Sequence, residues 1–210
     1  MDNRLDLPGS GDFVTPEQYT PDDAMRNADG TVAVWEGCQT FSGSWGYSRD
    51  ENTWKSSKQC IDMLINHVSR GGNLLMNVGP TSRGYLDHRA VAILESFAKW
   101  MKYNERAIRG CGMAPEGFPE PRDCRYTYNA KTKRLYLHLM NWPFKHVMLK
   151  NLGDKIRYAQ FLHDGSEVKF RGHVEEKLPM DANVAPGDVA LELPPIRPDV
   201  EVPVIEIFLR

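Results

Sequence analysis

Residues 55–80 read KSSKQCIDMLINHVSRGGNLLMNVGP, and this stretch decides the fold class. Its first part has helical spacing. Over Lys55 to Ser69, the residues Cys60, Met63, Leu64, His67 and Val68 fall on one face at steps of three and four. Arg70-Gly71-Gly72 then ends the helix, since glycine adopts the backbone conformations that a helix stop and a tight turn require. Asn73-Leu74-Leu75-Met76-Asn77-Val78 follows as a short apolar run closed by Gly79-Pro80. Arriving directly after an amphipathic helix, such a run predicts a buried parallel strand. Asp87 suits the N-cap of a second helix that reaches about Asn104, with Val91, Leu94, Ala98 and Met101 on its inner stripe. Helix, buried strand, loop, helix is the rhythm of an α/β barrel or a doubly wound sheet.

Downstream the period changes. Between Cys111 and Asp123 the composition shifts to Gly112, Pro115, Gly117, Pro119 and Pro121, which predicts a linker. Beyond it Leu135, Leu137 and Leu139 alternate with Tyr136, His138 and Met140. Val189, Leu191 and Leu193 share one strand face, as do Ile205, Ile207 and Leu209. Asp164-Gly165 is a hairpin-type turn between Arg157–His163 and Glu167–Phe170. Short strands without intervening helices predict an antiparallel sandwich or barrel, in which one set of alternating residues is buried and its neighbours exposed. The chain therefore divides into an α/β part over 1–112 and an all-β part over 113–210.

With 26 basic and 28 acidic residues the formal net charge is −2, and no basic block marks a nucleic-acid surface. No run approaches about 18 apolar residues, so no transmembrane helix is expected. The polar start, Met1-Asp2-Asn3-Arg4, lacks the layout of a signal peptide, and any such segment would lie upstream. The compartment is therefore open among secreted, periplasmic and lysosomal locations. Cys38, Cys60, Cys111 and Cys124 show no C-x-x-C spacing, so neither a metal site nor a cofactor is expected. Cys60 reads as a buried thiol, and Cys111 and Cys124 flank the Gly/Pro stretch as a candidate pair.

The first 50 residues set Arg4, Glu17, Trp35, Glu36, Ser42, Ser44, Trp45 and Tyr47 in loops. Sugar sites use this mixture, since aromatic faces cover the C–H side of a pyranose while carboxylates and an arginine hold its hydroxyls. Taken singly these residues also fit plain structural roles. Their order is more specific. Asn3 and Arg4, then Gly11-Asp12-Phe13-Val14-Thr15-Pro16-Glu17, resemble the N-x-R and G-D-[FY]-x-T-P-E run of family 29 α-L-fucosidases. Trp35-Glu36-Gly37-Cys38-Gln39-Thr40, Ser44-Trp45-Gly46-Tyr47 and the run from Val68 to Pro80 extend the resemblance. Trp100-Met101-x-x-Asn104-Glu105-x-Ala107-Ile108 is similar to the family's W-[LM]-x-x-N-G-E-A-I segment, departing from it by lacking the glycine and by carrying Arg106.

The resemblance implies the C-terminal portion of a (β/α)8-type barrel followed by an antiparallel β-sandwich. It also implies retaining hydrolysis of terminal α-L-fucose from glycans, by a nucleophile and a proton donor about 5–5.5 Å apart. Glu17 is the first choice for the acid/base and Glu36 its competitor. Arg4 is expected to contact fucose, with a structural salt bridge as its alternative, and Trp45 to stack on the sugar or fill a core. The family's nucleophile is an aspartate on an earlier barrel strand, upstream of the Asn3-Arg4 segment. Asp6 and Asp12 do not match its motif, so a fragment or split gene product that needs an N-terminal barrel half is expected. Two other classes stay open: a carbohydrate-binding or structural module without turnover, and a different enzyme that uses Glu17 and Glu36 as its own pair.

Overall fold

The computed structural model describes residues 3, 4, 11–175 and 183–210. Two compact units share the chain, Met1–Lys102 and Tyr103–Arg210. The first carries β1 (Glu36–Thr40), α1 (Ser57–Ser69), β2 (Asn73–Asn77) and most of α2 (His88–Asn104). β1 and β2 are parallel, in register from Glu36 opposite Asn73 to Thr40 opposite Asn77. A parallel pair needs a long crossover, and α1 supplies it. Residues 14–17 run beside β1 as a third parallel segment, Val14 pairing with Trp35 and Glu17 with Cys38.

Local chemistry sets the ends of α1. Ser56 caps it: its hydroxyl accepts from the Gln59 N–H at 3.1 Å, while the Gln59 side chain accepts from the Ser56 N–H at 2.8 Å. At the other end Gly71 takes a φ of +77°, and the Gly72 N–H donates to His67 O at 2.9 Å. Gly72 also lies under the buried Trp35 ring, where a Cβ would come within 2.2 Å of it. Asp87 caps α2 as expected, accepting from the Arg89 N–H at 2.9 Å.

α1 buries most of its expected face, whereas α2 buries a different one. In α1, Cys60, His67 and Val68 are buried as expected, Ile61 and Ile65 join them, and Met63 and Leu64 are only half-buried. In α2, Ala90, Ile93 and Trp100 are buried, while Val91, Leu94 and Ala98 are exposed. Each helix has two adjacent apolar stripes, and packing chooses between them. Ile93 and Phe97 meet Phe41, Cys60 and Met76 in the core of this unit. β2 is parallel as expected but not fully buried: Leu75 is 50% exposed. The helices cover the face of Gly37, Leu74 and Met76, and Glu36, Cys38, Asn73 and Leu75 share the opposite face.

The second unit is an antiparallel sandwich. One sheet has the order β3 (Cys124–Asn129), β4 (Arg134–Leu139), β9 (Val204–Leu209), β6 (Ile156–Phe161). The other has the order β5 (His146–Leu149), β8 (Val189–Glu192), β7 (Phe170–Gly172). Leu135, Leu137, Leu139, Leu191, Ile205 and Ile207 lie in the shared core. The Asp164-Gly165 turn reverses the chain, with the Phe161 N–H donating to Ser166 O at 2.9 Å and Gly165 at a φ of +74°.

Here the expected exposure of alternate residues fails. Tyr136 and His138 on β4, and Val204 and Glu206 on β9, are as buried as the leucines between them. These are the two central strands, and their outer face holds a polar layer. Thr127 donates to Ala107 O at 2.6 Å, and its hydroxyl lies 2.9 Å from His138 Nε2. Since Thr127 commits its proton to Ala107, the imidazole is the donor in that second bond. Glu206 accepts from Tyr136 and Gln160 at 3.3 and 2.8 Å. The predicted linker is tied down at its start, where Gly112 and Tyr128 exchange backbone bonds of 3.0 and 2.9 Å. All four cysteines are free, so Cys111 and Cys124 do not pair.

Candidate active site

The three parallel segments finish close together, at Glu17, Thr40 and Asn77, and barrel-type sheets place their chemistry at such C-terminal ends. The Cys38 N–H donates to Pro16 O and the Gln18 N–H to Cys38 O, both at 2.9 Å. These bonds fix the level of Glu17, which shares the face of Cys38 opposite the helices.

Arg4 comes to this carboxylate. Its Nη1 donates to Glu17 Oε2 at 2.5 Å and its Nε to Thr15 Oγ1 at 3.0 Å. Thr15 in turn donates to Asn3 Oδ1 through both its N–H and its hydroxyl, each at 3.1 Å. The Arg4 and Glu17 side chains remain 41% and 45% exposed, and with Asn3 and Thr15 they line an open concavity. An exposed ion pair adds little stability, about 0.2–1 kcal/mol. A charged pair at a strand end, open to solvent, therefore has more to offer a ligand than the fold.

The loop from Phe41 to Lys55 carries Trp45, and it is held from several sides. Asn77 Nδ2 donates to Trp45 O at 2.6 Å. Gly79 touches the same loop so closely that a Cβ there would lie 2.4 Å from Tyr47 N. Glu51 accepts from the Ser44 hydroxyl and from both the N–H and the hydroxyl of Thr53, which pulls its carboxyl down to about 2. Arg89 on α2 donates to Glu51 O at 2.6 Å, grips Asp87 and stacks on the Trp54 ring at 4.7 Å. Trp45 itself is 39% exposed, so it is a surface ring and not a core tryptophan.

Glu36 shares this face of the sheet one step below Glu17. It opens β1, two residues before Cys38, and so lies about 7 Å further down the strand, toward the N-terminal ends. Of the residues singled out from the sequence, Arg4 and Glu17 meet directly, and Asn77, two residues beyond the level of Glu17, is tied to the Trp45 loop. The sequence reading also passed over Gln18 and Glu51. The run Glu51-x-Thr53, an acceptor two residues before a hydroxyl donor, was the available signal for the second. His67 is structural: it is buried against Trp35 at 5.1 Å between ring centroids, and burial lowers its proton affinity.

Residues 2–106 match the family model described as alpha-L-fucosidase. Human plasma alpha-L-fucosidase is 27% identical over 167 residues, which is 78% of this chain and 33% of that protein. Alpha-L-fucosidase isoenzyme 1 from Paenibacillus thiaminolyticus is 31% identical, with a TM-score of 0.85 over 96% of this chain and 46% of its own. A family 29 α-L-fucosidase from Bacteroides thetaiotaomicron, trapped as a covalent intermediate, is 24% identical with a TM-score of 0.76, over 95% of this chain and 44% of its own. The chain thus spans about a third of its curated relatives and under half of its solved ones. Its fold is the C-terminal portion of a (β/α)8-type barrel followed by an antiparallel β-sandwich. With the motif order, the strand-end geometry and the family match over residues 2–106 in agreement, the chain belongs to the α-L-fucosidase family.

Proposed function

We propose that this chain supplies the acid/base side of a retaining α-L-fucosidase that removes terminal α-L-fucose from glycans. The observation that carries the reading is the Arg4–Glu17 pair, open to solvent at the ends of three parallel segments beside the Trp45 loop. In the first step a nucleophilic aspartate attacks the anomeric carbon while Glu17 gives its proton to the departing glycosidic oxygen. In the second, Glu17 takes a proton from water, which attacks the same carbon and releases fucose and the aspartate. Arg4 holds a sugar hydroxyl and adds positive potential that favours an ionised nucleophile. As Arg4 turns to the sugar, Glu17 Oε2 is released to carry the proton. Trp45 faces the apolar side of the ring. No residue of the chain matches the motif of the family's nucleophile, so turnover requires the barrel half that bears it.

The test combines purified 1–210 with a separately expressed barrel half and an activated aryl α-L-fucoside. Turnover is expected only with both present. Glu17→Ala should then impair substrates with poor leaving groups far more than activated ones, by up to about 10²–10⁴-fold, and azide should restore the activated reaction. Turnover by 1–210 alone would refute the missing nucleophile. The same leaving-group pattern in Glu36→Ala, and not in Glu17→Ala, would move the acid/base to Glu36. Fucose binding without turnover in either mixture would favour a carbohydrate-binding module.

A further inference from the structure

We propose that Gln18 is a positioning residue: its side chain aims Glu17 and couples it to the loop that bears Trp45. The inference rests on the reading of Glu17 as the acid/base. Gln18 has a φ of +52°, in the left-handed region that side-chain-bearing residues rarely adopt. Such a conformation persists where the surroundings over-determine it. Here they do so through two bonds to β1. The Gln18 N–H donates to Cys38 O at 2.9 Å, and Gln18 Nε2 donates to Thr40 Oγ1 at 2.8 Å. The left-handed turn takes the chain out of the parallel direction straight after Glu17, so the carboxylate stands at the end of its segment.

The second bond reaches further. Thr40 is buried, its hydroxyl donates to Ser42 O, and its carbonyl accepts from Lys55 Nζ at 2.7 Å. Ser42 Oγ accepts from the Ser44 N–H at 3.3 Å, one residue before Trp45. A relay of named bonds therefore runs from the residue after Glu17, through the end of β1, to the residue before Trp45. Glycine would take the same φ with less strain but has no amide with which to enter the relay. Alanine would keep the strain and lose the amide. Glutamate has nearly the shape of glutamine but, when ionised, has no proton to donate to Thr40.

The experiment uses isotope-labelled 1–210 and follows the Glu17 side-chain carboxyl carbon and the Trp45 indole N–H by nuclear magnetic resonance. Gln18→Ala, Gln18→Gly and Gln18→Glu should each move both signals while the backbone amides of β1 and β2 stay in place. If neither signal moves in Gln18→Glu and Gln18→Gly, the inference is overturned. If the β1 and β2 amides move as well, Gln18 is a fold residue and the inference is equally lost. With the barrel half added, Gln18→Ala should lower kcat by about 10-fold or more for a poor leaving group and by less than about 3-fold for an aryl fucoside, with KM unchanged. An equal loss on both substrates counts against positioning. Should Glu17→Ala show no leaving-group dependence, the acid/base reading fails, whereas the Gln18→Glu shifts test the relay independently.

Discussion

Gly37→Ala is a severe test of how β1 meets α1. A Cβ at this position would lie 2.1 Å from His67 Nε2 and 2.6 Å from its Cδ2. Ordinary carbon contacts sit at about 3.5–4.0 Å, so some 1.4 Å of separation must be found. The imidazole has little room to give it. It is buried, its Nδ1 lies 2.7 Å from Met63 O one turn back on the same helix, and its ring is 5.1 Å from Trp35. The last turns of α1 must therefore lift from the strand. Overpacking typically costs about 1–3 kcal/mol, and a rigid site belongs at the upper end, near 3. His67→Ala alone should cost about 2–3 kcal/mol by leaving a cavity. In the double variant the new methyl enters that cavity, so the total should stay close to that of His67→Ala, a coupling of about 3 kcal/mol. Urea unfolding followed by tryptophan fluorescence measures it, because Trp35, Trp45, Trp54 and Trp100, four of the five tryptophans, belong to the first unit. Additivity of the two single variants within about 0.5 kcal/mol would refute the reasoning.

In the sandwich, burial holds His138 at about 3, below the ordinary 6.5. Between those values the unfolded chain binds a proton that the folded one refuses. Its stability is therefore full above pH 6.5 and declines as pH falls toward 3, by at most about 1.4 kcal/mol per pH unit. His138→Gln keeps a donor for Thr127 but cannot titrate, so its urea midpoint, read by β-sheet circular dichroism, should depend less on pH between 4 and 6.5; equal slopes would contradict this. A polypeptide of residues 103–210 should fold as a β-protein and resist urea better than one of 113–210, which lacks the Ala107–Thr127 and Gly112–Tyr128 bonds. Those bonds are worth about 0.5–1.5 kcal/mol each, and equal midpoints for the two polypeptides would show that residues 103–112 add nothing.

The fold class was legible because period is a local property. The helix-then-strand run of residues 57–77 and the alternation at Leu135, Leu137 and Leu139 both name their element without outside help. Which stripe a helix buries is not local. α2 has apolar residues at both Ala90/Ile93/Phe97 and Val91/Leu94/Ala98, and the choice falls to its packing against Phe41 and Met76. The double burial of β4 and β9 was hidden for a related reason. Tyr136, His138 and Glu206 look like solvent residues until their partners, brought from 11 to 70 positions away, satisfy them. At the candidate site, Glu17 and Arg4 stood out by motif order. The register that sets Glu17 level with Cys38, two residues above Glu36 and two below Asn77, is something a list of residues does not contain. Gln18 was invisible because a positive φ leaves no mark when the residue is neither glycine nor asparagine.

The position of β9 sets a timetable for synthesis. Ile205 pairs with Leu137 on one side and Phe161 on the other, so the four-stranded sheet has no middle until residues 204–209 leave the ribosome. The β3–β4 hairpin can zip early, with only four residues in its turn. β6 cannot. Forty-three positions separate Phe161 from Val204, which at 5–20 residues per second leaves its edge open for about 2–9 s. During that interval the nascent chain exposes an unpaired strand with Ile156, Ala159 and Phe161 pointing at a core that has not yet closed. Holdase chaperones or a slowed ribosome would protect the protein there, and substitutions that make β6 more apolar would lower the yield of folded chain without altering the finished sandwich.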